Sequence, residues 1–311
     1  MKPVIIDTDM ALDDWMAILY LLRHPQVAVQ AVTVAATGEA HARPGAVNAL
    51  RLLALAQHTP CPVAAGSPVP LRGSAAFPWL IRFIMDHHFF IPLVRVPAPA
   101  AIPDAVPLLA EQLSAAPEPV TILAVGPLTN LGALLQAHPP LAAKIERVVI
   151  MGGALDVPGN IQDILPRSPN AHAEWNIYID PTAANLVFAS GVPVTLVPLD
   201  ATNQTPLTPD FLQRLGQRAS HPAARFIHRG LQNMSRLNQG RGFYFWDPLA
   251  AVLAVRPELG RYQTRPVRVI EEEGSQYGRT LSEEDAYPIQ VCLGVDQPAF
   301  EQEFLDTLCA P

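Results

Sequence analysis

Short apolar, β-rich runs alternate with helical periodicities through the first two-thirds of the chain. The strand-like runs lie at residues 4–6, 27–34, 62–64, 120–124, 147–151 and 194–198, and apolar residues dominate each. Such a run reads as a strand buried on both faces. Between them, apolar residues recur at helical spacing over 14–23, 44–57, 104–115, 128–137 and 181–190. This alternation predicts an α/β fold, a mainly parallel central sheet with helices on both faces. Right-handed crossovers collect the strand C-termini on one edge, where sheets of this kind bind ligands.

The pattern changes after residue 200. Helical stretches at 209–217 and 222–237 lead into a segment rich in glycine and aromatics at 240–245. Strands with turns at 273–274 and 277–278 fill 262–294, and a helix follows at 298–308. A small C-terminal strand and helix region beside the sheet is expected. No repeat, low-complexity tract or linker interrupts the 311 residues, so a single domain over 1–311 is expected.

Composition excludes several classes. Hydrophobic residues make up 50% and charged residues 16%, which suits a well-buried core and not a disordered chain. A net charge of −7 disfavours a nucleic-acid partner. No run reaches about 18 apolar residues, so no membrane span is expected. Cys61, Cys292 and Cys309 lack metal-ligand spacing and fit a reducing compartment. With no leader-like segment ahead of the first strand, a cytoplasmic location is expected.

The strongest chemical signal is four carboxylates within eight residues, Asp7, Asp9, Asp13 and Asp14, directly after the first strand. Like charges at a poorly solvated strand end oppose one another's ionisation. A divalent cation relieves this, and an all-oxygen ligand set points to Ca²⁺ or Mg²⁺ over Zn²⁺. A helix N-terminus that favours acidic residues accounts for Asp13 and Asp14 but not for Asp7 and Asp9.

Other candidate groups follow later strands. Val125 and Gly126 form a turn that offers a main-chain carbonyl. Met151, Gly152 and Gly153 end a strand in a form that permits close backbone approach. Glu174 and Asn176 are two apart, so an extended segment would point both to one side, where a carboxylate beside an amide suits a vicinal diol. Asp247, between Trp246 and Pro248, supplies one more carboxylate and also reads as a helix N-cap.

In this order, with Asn130 and Asp180–Pro181, these motifs resemble the inosine-uridine-preferring nucleoside hydrolase family over most of the chain. The resemblance implies a Ca²⁺ enzyme that cleaves the N-glycosidic bond of small-molecule ribonucleosides, working as a homodimer or homotetramer. It implies Asp9, Asp14, the carbonyl of Val125 and Asp247 as ion ligands, with Asp9 also the general base for the attacking water. Asp13, Asn160, Glu174, Asn176 and Asp247 would grip the ribose, with Met151 on the same edge. Asp7 would orient the ligands from behind.

The chain departs from the family pattern in places. Broad-specificity members carry His before the late Asp, and this chain has Trp246, as the purine-specific type does. Trp79 falls near the second tryptophan of that type, so a purine base sandwiched between Trp246 and Trp79, and hence a purine preference, is expected. Glu39 replaces an Asn found in many members and would contact the ribose or bear on base protonation, with His41 a nearby candidate acid. An insertion containing Pro166, Pro169 and His172 separates Asn160 from Glu174. Arg241 and Tyr244 stand in a glycine-hinged stretch that reads as a lid.

Two other readings exist. A haloacid-dehalogenase-like phosphohydrolase with Mg²⁺ also uses Asp-x-Asp after its first strand, but needs a lysine in the site, and Lys144 is the only interior one. A non-catalytic nucleoside-binding protein is suggested by the missing histidine.

Overall fold

Valine and isoleucine fill the runs that become strands, and their branched side chains suit a pleated surface covered on both sides. The computed structural model describes residues 1–87, 93–237 and 242–310. Among these, the strands are β1 (Lys2–Thr8), β2 (Val27–Val34), β3 (Val63–Ala65), β4 (Val120–Val125), β5 (Ile145–Met151), β6 (Val194–Val197), β7 (Gly260–Val269), β8 (Thr280–Ser282) and β9 (Tyr287–Val295). They form one sheet in the order β3-β2-β1-β4-β5-β6-β9-β7-β8. Pairings from β3 through β6 to β9 are parallel, while β7 runs antiparallel to both β9 and β8.

Alternation along β1 shows how the two faces are served. Val4 and Ile6 pack into a core built with the helices Leu12–Arg23, Ala42–Leu55, Trp246–Val255 and Gln297–Leu308. Ile5 points the other way, toward Ala105–Ala115, Thr129–Ala137 and Pro181–Ala189. The expected α/β architecture is present. The expected C-terminal region is less separate than the sequence suggests, because β9 pairs with β6 and carries β7 and β8 into the same sheet. Their polar, half-exposed alternation hides that continuity in the sequence. No helix among the described residues is long and apolar enough to cross a membrane.

Register sets the position of the site. Thr8 pairs with Val125, Ala124 with Ile150, and Met151 with Val197. The ends of β1, β4 and β5 therefore lie side by side, and the loops that leave them share one edge.

Candidate active site

The chain leaves β1 through a sharp turn. Met10 is fully buried with φ +65°, a left-handed conformation that costs a side-chain-bearing residue free energy. The turn swings the helix Leu12–Arg23 so that its first residues carry Asp13 and Asp14 beneath Asp9. One oxygen of Asp14, Oδ1, accepts from the Thr8 hydroxyl and from the main-chain N–H of Asp9 (3.1 Å) and Met10 (3.2 Å). The other, Oδ2, is buried and has no hydrogen-bond donor.

Asp9 is equally confined. Its Oδ2 accepts the Glu39 N–H at 3.1 Å, and its carbonyl accepts the Ala40 N–H at 3.0 Å. Gly38 makes this wrapping possible, because a Cβ there would lie 2.2 Å from the Asp9 Cβ. Asp7 faces the interior, where Oδ1 accepts from Thr33 Oγ1 (2.6 Å) and Asn130 Nδ2 (2.7 Å).

A cavity of about 250 Å³ opens over this turn. Asp9, Asp13, Asp14, Glu39, Val125, Met151, Asn160, Glu174, Asn176, Trp246 and Asp247 all line it, so almost every residue singled out from the sequence converges there. Carboxylate oxygens of Asp13, Asp14 and Asp247 lie within 4.8 Å of one another. Asp13 thus joins the tightest trio, with Asp9 beside it in the same wall. Burial is the main cause that raises Asp9 to about 7 and Asp13 to about 6. Asp14 and Asp247 are pushed well above the ordinary carboxylate range, by burial first and then by neighbouring carboxylates. Such a cluster needs shared protons or a cation. The donor-free Oδ2 of Asp14 and the all-oxygen set fit a hard divalent ion.

The opposite wall corrects one expectation. Glu174 and Asn176 do not sit in an extended segment. Glu174 caps the short helix Trp175–Ile179, accepting the N–H of Asn176 at 2.9 Å on Oε1. Its Oε2 accepts from Gly153 (2.9 Å) and Ile177 (3.2 Å). The close approach that the Gly152–Gly153 turn permits is made by this carboxylate, with Gly153 at φ +81°. Burial raises Glu174 to about 7 despite these donors. Asn176 Nδ2 donates to the Met151 carbonyl at 3.1 Å. The insertion leaves Asn160 in the pocket, its Oδ1 accepting the Trp175 N–H at 3.0 Å. Asn170 ties the insertion down by donating to the Tyr277 carbonyl at 2.7 Å.

Asp247 is not an N-cap. Phe245 takes that position, and Trp246 and Asp247 are the first two residues of the helix Trp246–Val255. Trp79 is the clear departure. It is 75% exposed at the start of the helix Trp79–His87, outside the cavity, with its ring 6.4 Å from Phe83. Phe77, two residues earlier, is the aromatic that enters the pocket wall, stacked on Trp175 with centroids 4.5 Å apart. Tyr244 lines an adjoining cavity and lies 5.6 Å from the Trp246 ring. His41 turns its Nδ1 toward Asp86 Oδ2 at 2.7 Å and does not line the pocket. Lys144 donates to the Ala116 carbonyl, remote from the site, which removes the lysine that a phosphohydrolase would need. Gly240 and Arg241 of the lid reading lie outside the described residues. Sequence reasoning missed Phe77, Met85, Asp163, Met234 and Phe243 in the wall. Of these, Asp163, Met234 and Phe243 stood in segments the sequence marked, namely the insertion after Asn160, the helical stretch 222–237 and the aromatic stretch, but none was singled out.

A doubly covered, mainly parallel sheet with an acidic ligand cavity at its C-terminal edge defines an α/β enzyme of the small-molecule type. Residues 4–302 match the family described as inosine-uridine preferring nucleoside hydrolase, and the chain belongs to that family, whose members are N-glycosyl hydrolases of ribonucleosides. A pyrimidine-specific ribonucleoside hydrolase, RihA of Shewanella sp. strain ANA-3, is 36% identical, the match covering 99% of this chain and 96% of the relative. A solved plant nucleoside hydrolase, PpNRh1, superposes with a TM-score of 0.85 at 30% identity, covering 100% of this chain and 99% of the other. A purine-preferring ribonucleoside hydrolase from Gardnerella vaginalis superposes with a TM-score of 0.82 at 28% identity, covering 99% and 98%.

Proposed function

We propose that this cavity hydrolyses ribonucleosides to ribose and free base with Ca²⁺ as its resident ion, and that it prefers purine bases. The observation that carries the reading is the meeting of Asp13, Asp14 and Asp247 below the cavity while Glu174, Asn176 and Asn160 face it. Asp14, Asp247, Asp9 and the carbonyl of Val125 would hold the ion. Bound there, Ca²⁺ would offset the clustered charge and lower the pKa of water.

The remaining work falls to side chains. Asp9, fixed by the Glu39 N–H, takes the proton of the attacking water. Asp13, Glu174, Asn176 and Asn160 grip the ribose hydroxyls and convert binding into orientation. Positive charge develops on the sugar as the glycosidic bond breaks, and the surrounding carboxylates stabilise it. Among the described residues that line the cavity there is no histidine. Trp246 stands there instead, and its face favours a purine that has taken a proton from solvent and is cationic before the glycosidic bond breaks, so that it departs neutral. That supports purine preference, although the RihA relative is named for pyrimidines. Phe77, Phe243, Met85 and Met234 complete an apolar wall suited to a planar base, and Trp79 has no part in it.

Ribose release from inosine, guanosine, uridine and cytidine, with and without a chelator, tests the whole reading. Inosine and guanosine should turn over faster than uridine, and Trp246→Ala should narrow that gap by about tenfold or more. Faster uridine turnover overturns the purine preference alone, whereas no release from any nucleoside overturns the hydrolase reading. Family membership alone supports a homodimer or homotetramer and a cytoplasmic location, which sedimentation of the purified chain and cell fractionation would measure.

A further inference from the structure

The helix Trp79–His87 carries a buried arginine that the chemistry above does not use. Arg82 is 9% exposed, and its Nη2 donates to the carbonyls of Ala36 (2.6 Å) and Ala40 (3.3 Å). Those carbonyls flank the loop that wraps Asp9. Within it, the Glu39 N–H reaches Asp9 Oδ2 and the Ala40 N–H reaches the Asp9 carbonyl. Asp86, one helical turn beyond Arg82, grips the end of the loop by accepting the His41 N–H at 2.9 Å. Met85, between them in sequence, lines the cavity.

We infer that Arg82 is a positioning residue for hydrolysis: by holding the carbonyls of Ala36 and Ala40 it fixes the 37–39 loop, and through the Glu39 amide it fixes Asp9. The inference rests on the nucleosidase reading and deepens it. The guanidinium touches no substrate. A loop free to drift would loosen the Glu39 N–H from Asp9, and a misplaced base costs rate far more than it costs binding. Grip on the ribose comes from other elements, Asp13 at the start of Leu12–Arg23, Asn160, and the N-terminal end of the helix Trp175–Ile179, and would persist.

The test compares Arg82→Met with Arg147→Met. Arg147 also donates its Nη2 to a main-chain carbonyl, that of Ala254 at 2.7 Å, but lies on β5 away from the cavity. Arg82→Met should lower kcat about tenfold to a hundredfold while KM stays within about threefold. Amide hydrogen exchange in the 35–41 segment should quicken. Arg147→Met should leave kcat and that exchange unchanged, whatever it does to Tm. If Arg82→Met keeps wild-type kcat, or if exchange in 35–41 does not change, the inference is wrong. If the wild-type chain releases no base at all, the hydrolase reading falls, and the exchange comparison still decides whether Arg82 holds the loop.

Discussion

Glu174 binds three main-chain N–H groups and is still pushed up from 4.5 to about 7, because burial outweighs its donors. A folded-state pKa above the unfolded value means that the folded chain holds the proton more tightly. The stabilisation is then complete below about 4.5 and disappears as pH rises through about 7. The gap corresponds to about 3 kcal/mol, undiscounted because Glu174 is almost fully buried. Chelator-treated protein should therefore lose Tm between pH 5 and pH 8, with other raised carboxylates adding to the loss. Glu174→Gln carries no titrating proton, so its Tm should fall by less over the same interval, even though its absolute Tm is lower. Thermal melts of both proteins across that range check this, and equal slopes would remove Glu174 as a source.

At the scale of elements, Asp180 shows how a motif of the family pattern serves architecture. It caps the helix Pro181–Ala189 through the Ala183 N–H at 3.1 Å, and its second oxygen accepts from the Leu71 N–H (2.8 Å) and Thr129 Oγ1 (2.9 Å). Asp180→Ala should cost about 2–4 kcal/mol of stability, since the cap, the half-buried Leu71 N–H and the buried Thr129 hydroxyl lose their acceptor together. Ribose release at a temperature where the variant is folded should stay within about threefold of wild type. A large fall in kcat with an unchanged Tm would place Asp180 in the chemistry instead.

The elements also show what could be read from the sequence. Strands β1, β2 and β4 to β6 were legible because burial on both faces favours runs dominated by apolar, β-branched residues. The carboxylates were legible because four like charges behind such a run have few uses. The pocket's apolar wall was not, because Phe77, Met85 and Met234 carry the same chemistry as core residues. Phe77 and Trp79 differ only in place, one locked by stacking on Trp175 in the loop and the other beginning a helix on its exposed side. Glu174 and Asn176 were expected to converge, and they do line the same cavity, but through a helix N-terminus and not a strand.

Over the whole molecule, the site joins distant parts of the chain. Asp13 and Asp14 enter from the first helix, and Asp247 arrives from a helix more than two hundred residues later, packed against that first helix in one core. An ion held between them would bind the folded state and not the unfolded one, so its binding free energy adds to global stability. At a free Ca²⁺ concentration about a hundredfold above Kd the gain is about 2.7 kcal/mol. Ca²⁺ added to chelator-treated protein should therefore raise Tm by several degrees. Asp247→Asn should abolish that rise, because one of three close carboxylates is gone. The same variant should melt higher than wild type when chelator is present, since a carboxylate whose ionisation is opposed by burial and by Asp13 and Asp14 has been removed. Calorimetry of the two proteins in both conditions gives four melting temperatures whose order should invert between chelator and Ca²⁺. An identical Ca²⁺ shift in both would mean that the ion binds elsewhere.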